Sequence, residues 1–192
     1  MSTKVMSNVI DAILTFWFGD SNAEDYGQDR AAWFTKDAAF DAEITKRFER
    51  VIEATARGQL DMMAQSPEGA VALVVVLDQF PRNVYRNVAQ AFEYDAHALR
   101  IAKQAIAQGF DQQVTPVMRK FLYLPFEHSE NLADQDRALE LFAALGEKDL
   151  DWAQKHHAII KRFGRFPHRN GALGRINTPE EKVFLTQPDS SF

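Results

Sequence analysis

The chain has 192 residues, 46% hydrophobic and 26% charged, with a net charge of −5 at neutral pH. That is long enough for one domain with its own core, and the negative balance argues against a general nucleic-acid binder. The absence of cysteine excludes disulfides, thiolate metal centres and a cysteine nucleophile.

No basic segment followed by a small-residue cleavage site opens the chain. The longest apolar runs are short: Val9 to Phe18 contains Asp11, and Ala70 to Leu77 is bounded by Asp78. Neither is long enough to cross a bilayer, so a cytoplasmic protein with no membrane partner is expected.

Apolar spacing predicts helices nearly throughout. Ser7 can cap a first helix that carries Val9, Ile10, Ile13, Leu14 and Trp17 and stops at Gly19. A polar loop runs to Asp29, and a short helical piece carries Trp33 and Phe34. Phe40, Ile44, Phe48 and Ile52 recur every four residues, the buried stripe of a helix that ends at Gly58. Ser66-Pro67, Thr115-Pro116 and Thr178-Pro179 each read as a capping hydroxyl with proline at the first helical position. Thr178 and Glu181 have capping-box spacing. The run AVALVVVL is strand-like in composition, but the start signal before it favours a buried helix. The residue before proline avoids helical geometry, so that helix is predicted to end near Gln79, before Phe80-Pro81. Asn87 can cap a helix presenting Phe92, Leu99 and Ile106. The helix after Thr115 should be interrupted at Pro125. A further helix carries Leu139, Phe142 and Leu145, and Asp149 can cap the next, which puts Trp152, His156, Ile159, Ile160 and Phe163 on one face and ends at Gly164. The expectation is one all-α domain over residues 1–192, with about seven or eight helices packed as antiparallel α-hairpins and residues 1–6 and 186–192 as flexible tails.

Charge is unevenly placed. From Trp152 to Pro179 there are six Lys/Arg, three His and no acid. Such a segment on an acidic body either docks onto that body or faces an anion. Within it, FGRFPHRNGALGR gathers Arg165, His168, Arg169, Asn170 and Arg175. Guanidinium forks fit a carboxylate or phosphate in two-point contact, but arginine pins loops equally well, and Asp78, Asp95, Glu127 and Glu130 are available partners. The stretch DQFPRNVYR adds Arg82, Asn83 and Arg86 and echoes the later Phe-Pro-His-Arg-Asn. PFEHSE sets Glu127, His128 and Glu130 together, carboxylate beside imidazole, as acid-base chemistry requires. His156 falls on the apolar face, either as a hydrogen-bonded core histidine or as a ligand or catalytic group. Phe163 and Phe166 could stack on bases, although no RNA motif accompanies them. Glu127, His128 and Glu130 could also hold a metal together with His156 or His168, but no His-Glu-x-x-His spacing, acidic metal loop or phosphate loop is present; the metal signal is weak, and no metal and no cofactor are expected.

These stretches resemble a known bacterial family, the one called domain of unknown function 924. The resemblance lies in FWFG (16–19), WFTKDAAFDAEITKRF (33–48), LDQFPRNVYR (77–86), AFEYDAHAL (91–99), FLYLPFEHSE (121–130), HHAIIKRFGRFPHRNGALGR (156–175) and TPEEKVFL (178–185). Asn177 stands where members of that family tend to have serine. The resemblance implies an all-helical fold similar to tetratricopeptide-repeat proteins and no established activity. Two functions follow as expectations. One is a small anionic ligand held by Arg82, Asn83, Arg86, Glu127, Glu130, Arg165, Arg169, Asn170 and Arg175, with His128, His156 or His168 moving protons. The other is a helical scaffold for a protein or peptide partner, in which these motifs are structural.

Overall fold

A computed structural model describes residues 3–24, 26–33, 35–188 and 190–191. All regular structure among them is helical: α1 (Thr3–Phe18), α2 (Ala38–Ala56), α3 (Pro67–Val74), α4 (Phe80–Val84), α5 (Asp95–Ala107), α6 (Pro116–Glu127), α7 (Leu132–Ala143), α8 (Glu147–Phe163) and α9 (Pro179–Phe184). The π-helical stretch Val75–Gln79 joins α3 to α4, so these form one rod and the described residues hold eight helical rods in all. No described helix is long and apolar enough to cross a membrane. Phe34, expected on a short helical piece, lies outside the described residues.

The rod starting at Pro67 is the hub. Its cap is the expected one, Ser66 Oγ accepting the Gly69 N–H at 3.2 Å. Ala70 through Leu77 are fully buried, as an all-round apolar helix must be. α1, α5 and α6 pack around α3. Trp17, Phe80 and Phe121 interlock in edge-to-face contacts at 5.6–5.7 Å.

This rod does not stop at Gln79. Phe80 has helical φ and ψ (−58°, −42°), and its N–H bonds to Val75 O, five residues back. Pro81 lacks an N–H, and its ring would press on the carbonyl four residues back in a regular helix. Widening by one residue per turn relieves that conflict and keeps Phe80 in the aromatic core. α6 likewise runs through Pro125 to Glu127 instead of breaking there.

Other starts also differ from expectation. α1 begins at Thr3, so residues 3–6 form its first turn and Ser7 is interior. Asn87 is left-handed (φ 65°), and the N-cap positions after it are Val88 and Tyr94; Phe92 lies in a 3₁₀ turn before α5. α8 begins at Glu147 behind Gly146, which leaves Asp149 in its first turn, paired with Lys120 at 2.8 Å. The caps at Thr115 and Thr178 form as predicted, the latter as a full capping box.

α6, α7 and α8 follow one another through short turns and pack side by side. This brings the end of α6 against the π stretch and the middle of α8 against the end of α6. Gly164, left-handed at φ 68°, ends α8. Beyond it, Phe166 turns inward onto Ile159 and Ile160 in a second small apolar cluster.

Candidate functional site

The widened turn aims one acid inward. Asp78 is fully buried, and its carboxylate accepts the His128 Nδ1–H at 2.8 and 3.0 Å and the Gln79 amide at 2.6 Å. Burial alone would push its carboxyl up. The Arg82 and His128 charges and these hydrogen bonds outweigh burial and hold it well below the usual carboxylate range. Arg82, one turn on, forks onto Asp95 at 2.8 and 2.9 Å. Arg169 reaches the same Asp95 at 3.1 Å. The two Phe-Pro echoes thus meet on one carboxylate.

Glu127 and His128 end α6. Their backbone is fixed by the buried Gln135 amide, which donates to Glu127 O at 2.6 Å and Ser129 O at 2.8 Å. His156, buried on α8, donates from Nδ1 to Trp152 O at 2.9 Å, with Glu127 Oε1 3.1 Å from the same nitrogen. This contact is neutral rather than ionic. Burial, reinforced by Asp78 and Asp149, pushes the Glu127 carboxyl up to about 8, while burial and the neighbouring His128 push His156 down to about 3. His168 falls to about 4 through burial and the Arg169, Arg82 and His128 charges. Burial also lowers His128, with Arg82 adding to it against the pull of Asp78. Near neutral pH the cluster therefore presents neutral imidazoles, a protonated Glu127 and an ionised Asp78.

Arg169 is the odd member. Its guanidinium is buried between the rings of Phe92 and Phe166, at 4.7 and 4.5 Å. Its Nε–H has no acceptor among the described residues, and burial beside Arg82 brings it down to about 10.

Of the predicted site residues, Arg82, Glu127, His128, His156, His168 and Arg169 come together. Glu130, Asn170 and Arg175 lie beside them as fasteners. Arg175 forks onto Glu130 at 2.7 and 2.9 Å, Glu130 also accepts the Phe166 N–H at 2.8 Å, and Arg175 Nε reaches Asn170 Oδ1 at 2.8 Å. Asn177 accepts from Asn170 at 2.6 Å, which gives the residue in the serine's place a structural contact. The other three are elsewhere. Arg86 forks onto Asp41 of α2 and bonds Asn83, and Arg165 forks onto Glu181 of α9 at 2.6 and 2.8 Å. Every guanidinium of the expected clamp thus has an internal carboxylate, and the basic segment docks onto the body. Phe166 is fully buried and cannot stack on a base. Surface hollows of about 220 and 150 Å³ lie away from this cluster, one beside Lys120 and Asp149, the other beside Asp11 and Glu68.

Residues 13–189 match the family described as bacterial protein of unknown function, DUF924. The chain belongs to this family. A solved structure of a protein of unknown function from Agrobacterium tumefaciens is 42% identical to it, with a TM-score of 0.85 over 94% of this chain and 98% of that one. No curated protein matches the chain. Family membership therefore supports the fold and leaves the chemistry of the Asp78–His128 cluster to be argued from its geometry. Asp78 and Asp95 organise that cluster, yet sequence reasoning took them only as possible partners. The available signal for Asp78 was a lone acid closing an otherwise apolar run.

Proposed function

We propose that this family member binds a small molecule bearing a carboxylate or phosphate at the edge of the cluster, on Arg82, Arg169 and His168, and that His168 exchanges a proton there. The observation that carries this is Arg169. A buried charged donor without an acceptor is costly, and Arg169 and Arg82 already share Asp95. An anion would supply the missing acceptor. It would also offset the two cations that depress His168, so binding should draw in a proton below pH 6.5.

A thermal-shift screen with phosphorylated and carboxylated metabolites tests the proposal, since a ligand that binds only the folded state raises Tm. The hit should be lost in Arg169→Lys and His168→Gln, and calorimetry in two buffers should show proton uptake near pH 5. A screen in which no anion raises Tm, or a hit indifferent to both substitutions, would refute it.

The second reading, a scaffold like tetratricopeptide-repeat proteins that binds a protein or peptide, is favoured by the forked pairing of Arg86, Arg165 and Arg175 with internal acids. It expects Arg175→Ala to lose about 1–3 kcal/mol of stability without any ligand, as loss of a half-buried hydrogen-bonded network does, and no metabolite to raise Tm.

A further inference from the structure

We propose that Glu127, His128 and His156 form a site for one divalent transition-metal ion of the zinc class. One ligand-capable atom of each lies within 4.8 Å of the other two. The donor set, two imidazoles and a carboxylate, is one that zinc uses with three protein ligands, leaving a fourth position for water or an anion.

Proximity alone would not carry this; the surroundings of the three residues do. Imidazoles that bind metals almost always donate their other N–H to a carboxylate or a backbone carbonyl, which fixes ring and tautomer. Both histidines do so. His128 gives its Nδ1–H to the buried Asp78 carboxylate at 2.8 Å, and His156 gives its own to Trp152 O at 2.9 Å. In each neutral ring the lone pair then sits on Nε2. Glu127 supplies the second observation. It is 4% exposed, and no lysine or arginine lies within ion-pair distance of it among the described residues. Its nearest basic neighbour is His156, whose Nδ1 lies 3.1 Å from Oε1; a bound metal ion would displace the carboxyl proton and supply the cationic partner that a buried carboxylate needs. The supports are rigid: Gln135 ties the end of α6, and His156 sits in the middle of α8.

The sequence offers these residues as possible ligands but gives only a weak metal signal, because they come from two helices and share no recognisable spacing. The metal proposal does not rest on the anion reading, which uses Arg82, Arg169 and His168. The two fail separately: an ion can bind with no anion present, and an anion can be screened in the presence of a chelator.

The test uses the full chain freed of metal with a chelator and titrated with Zn²⁺. One ion should bind per folded chain, and the imidazole ¹⁵N signals of His128 and His156 should move while those of His97 and His157 stay. Glu127→Gln should weaken binding at least tenfold with the fold intact by circular dichroism, and His157→Ala should leave it unchanged. Absence of stoichiometric binding, movement of His97 or His157 instead, or an unaltered affinity in Glu127→Gln would overturn the assignment. If Glu127→Gln does not fold, the nitrogen spectra of the unaltered chain decide alone.

Discussion

Asp78→Asn isolates the charge that organises the cluster while keeping its shape. The carboxylate is fully buried, accepts from His128 and Gln79, and is ion-paired with Arg82 at 3.2 Å. Asparagine offers one acceptor oxygen and sets an N–H₂ against neighbours that are themselves donors. Breaking a buried charged pair on one side costs about 3–5 kcal/mol. The lower end applies here, because Arg82 keeps its fork on Asp95 and reaches solvent with 20% of its side chain. A loss of about 3 kcal/mol in a chain of this length lowers Tm by about 6–12 °C. Urea unfolding at pH 7 and a thermal melt by circular dichroism measure both. A loss under about 1 kcal/mol would refute the reasoning: it would mean that Asp78 behaves as an exposed acid does, and that His128 is held by something else.

His168→Gln tests the pH dependence. Its folded pKa is lowered from 6.5 to about 4, so the unfolded chain binds more protons between those values. The stability His168 lends is complete above pH 6.5 and is lost as pH falls through 4, about 3 kcal/mol in all. The variant should flatten that limb of a stability-against-pH curve, and an unchanged limb would contradict the assignment. Gly69→Ala should cost about 3 kcal/mol in urea, because its Cβ would stand 2.0 Å from Met63 O, a backbone atom; a neutral result would mean that the α3 start yields easily. Thr178→Ala should cost about 1 kcal/mol in the same assay through loss of its cap on the Glu181 N–H.

Most of the fold was legible because its signals are local. Ser66, Thr115 and Thr178 cap where the hydroxyl-proline pairs place them, and Gly19, Gly58, Gly109 and Gly164 take left-handed angles after their helices. The missed boundary at Phe80 has a definite origin. The rule that proline ends a helix assumes four-residue spacing, and burial of Phe80 in the aromatic core favours the five-residue alternative that evades it. The site was legible by residue type but not by arrangement. Arg169 and Asp95 are 74 residues apart, and Arg175 and Glu130 are 45 apart. Spacing along a chain says that cations cluster; it does not say which acids already answer them.

That answer changes what the arginines do. Glu181 holds Arg165, Glu130 holds Arg175 and the Phe166 N–H, and Asp95 holds Arg169. Together they suspend the segment after Gly164 from α9, from the turn after α6 and from α5. Phe166 is thereby pressed against His156, with ring centres 5.6 Å apart, and His168 against Phe166 at the same distance. The forks act as positioning devices for the neutral histidines, which is why an exposed clamp is the wrong picture for Arg165 and Arg175. Arg169 differs because it shares its acid with Arg82 and keeps an unmatched Nε–H. Chemistry in this domain is therefore to be sought at Arg169, where compensation is incomplete, rather than where positive charge is densest along the chain.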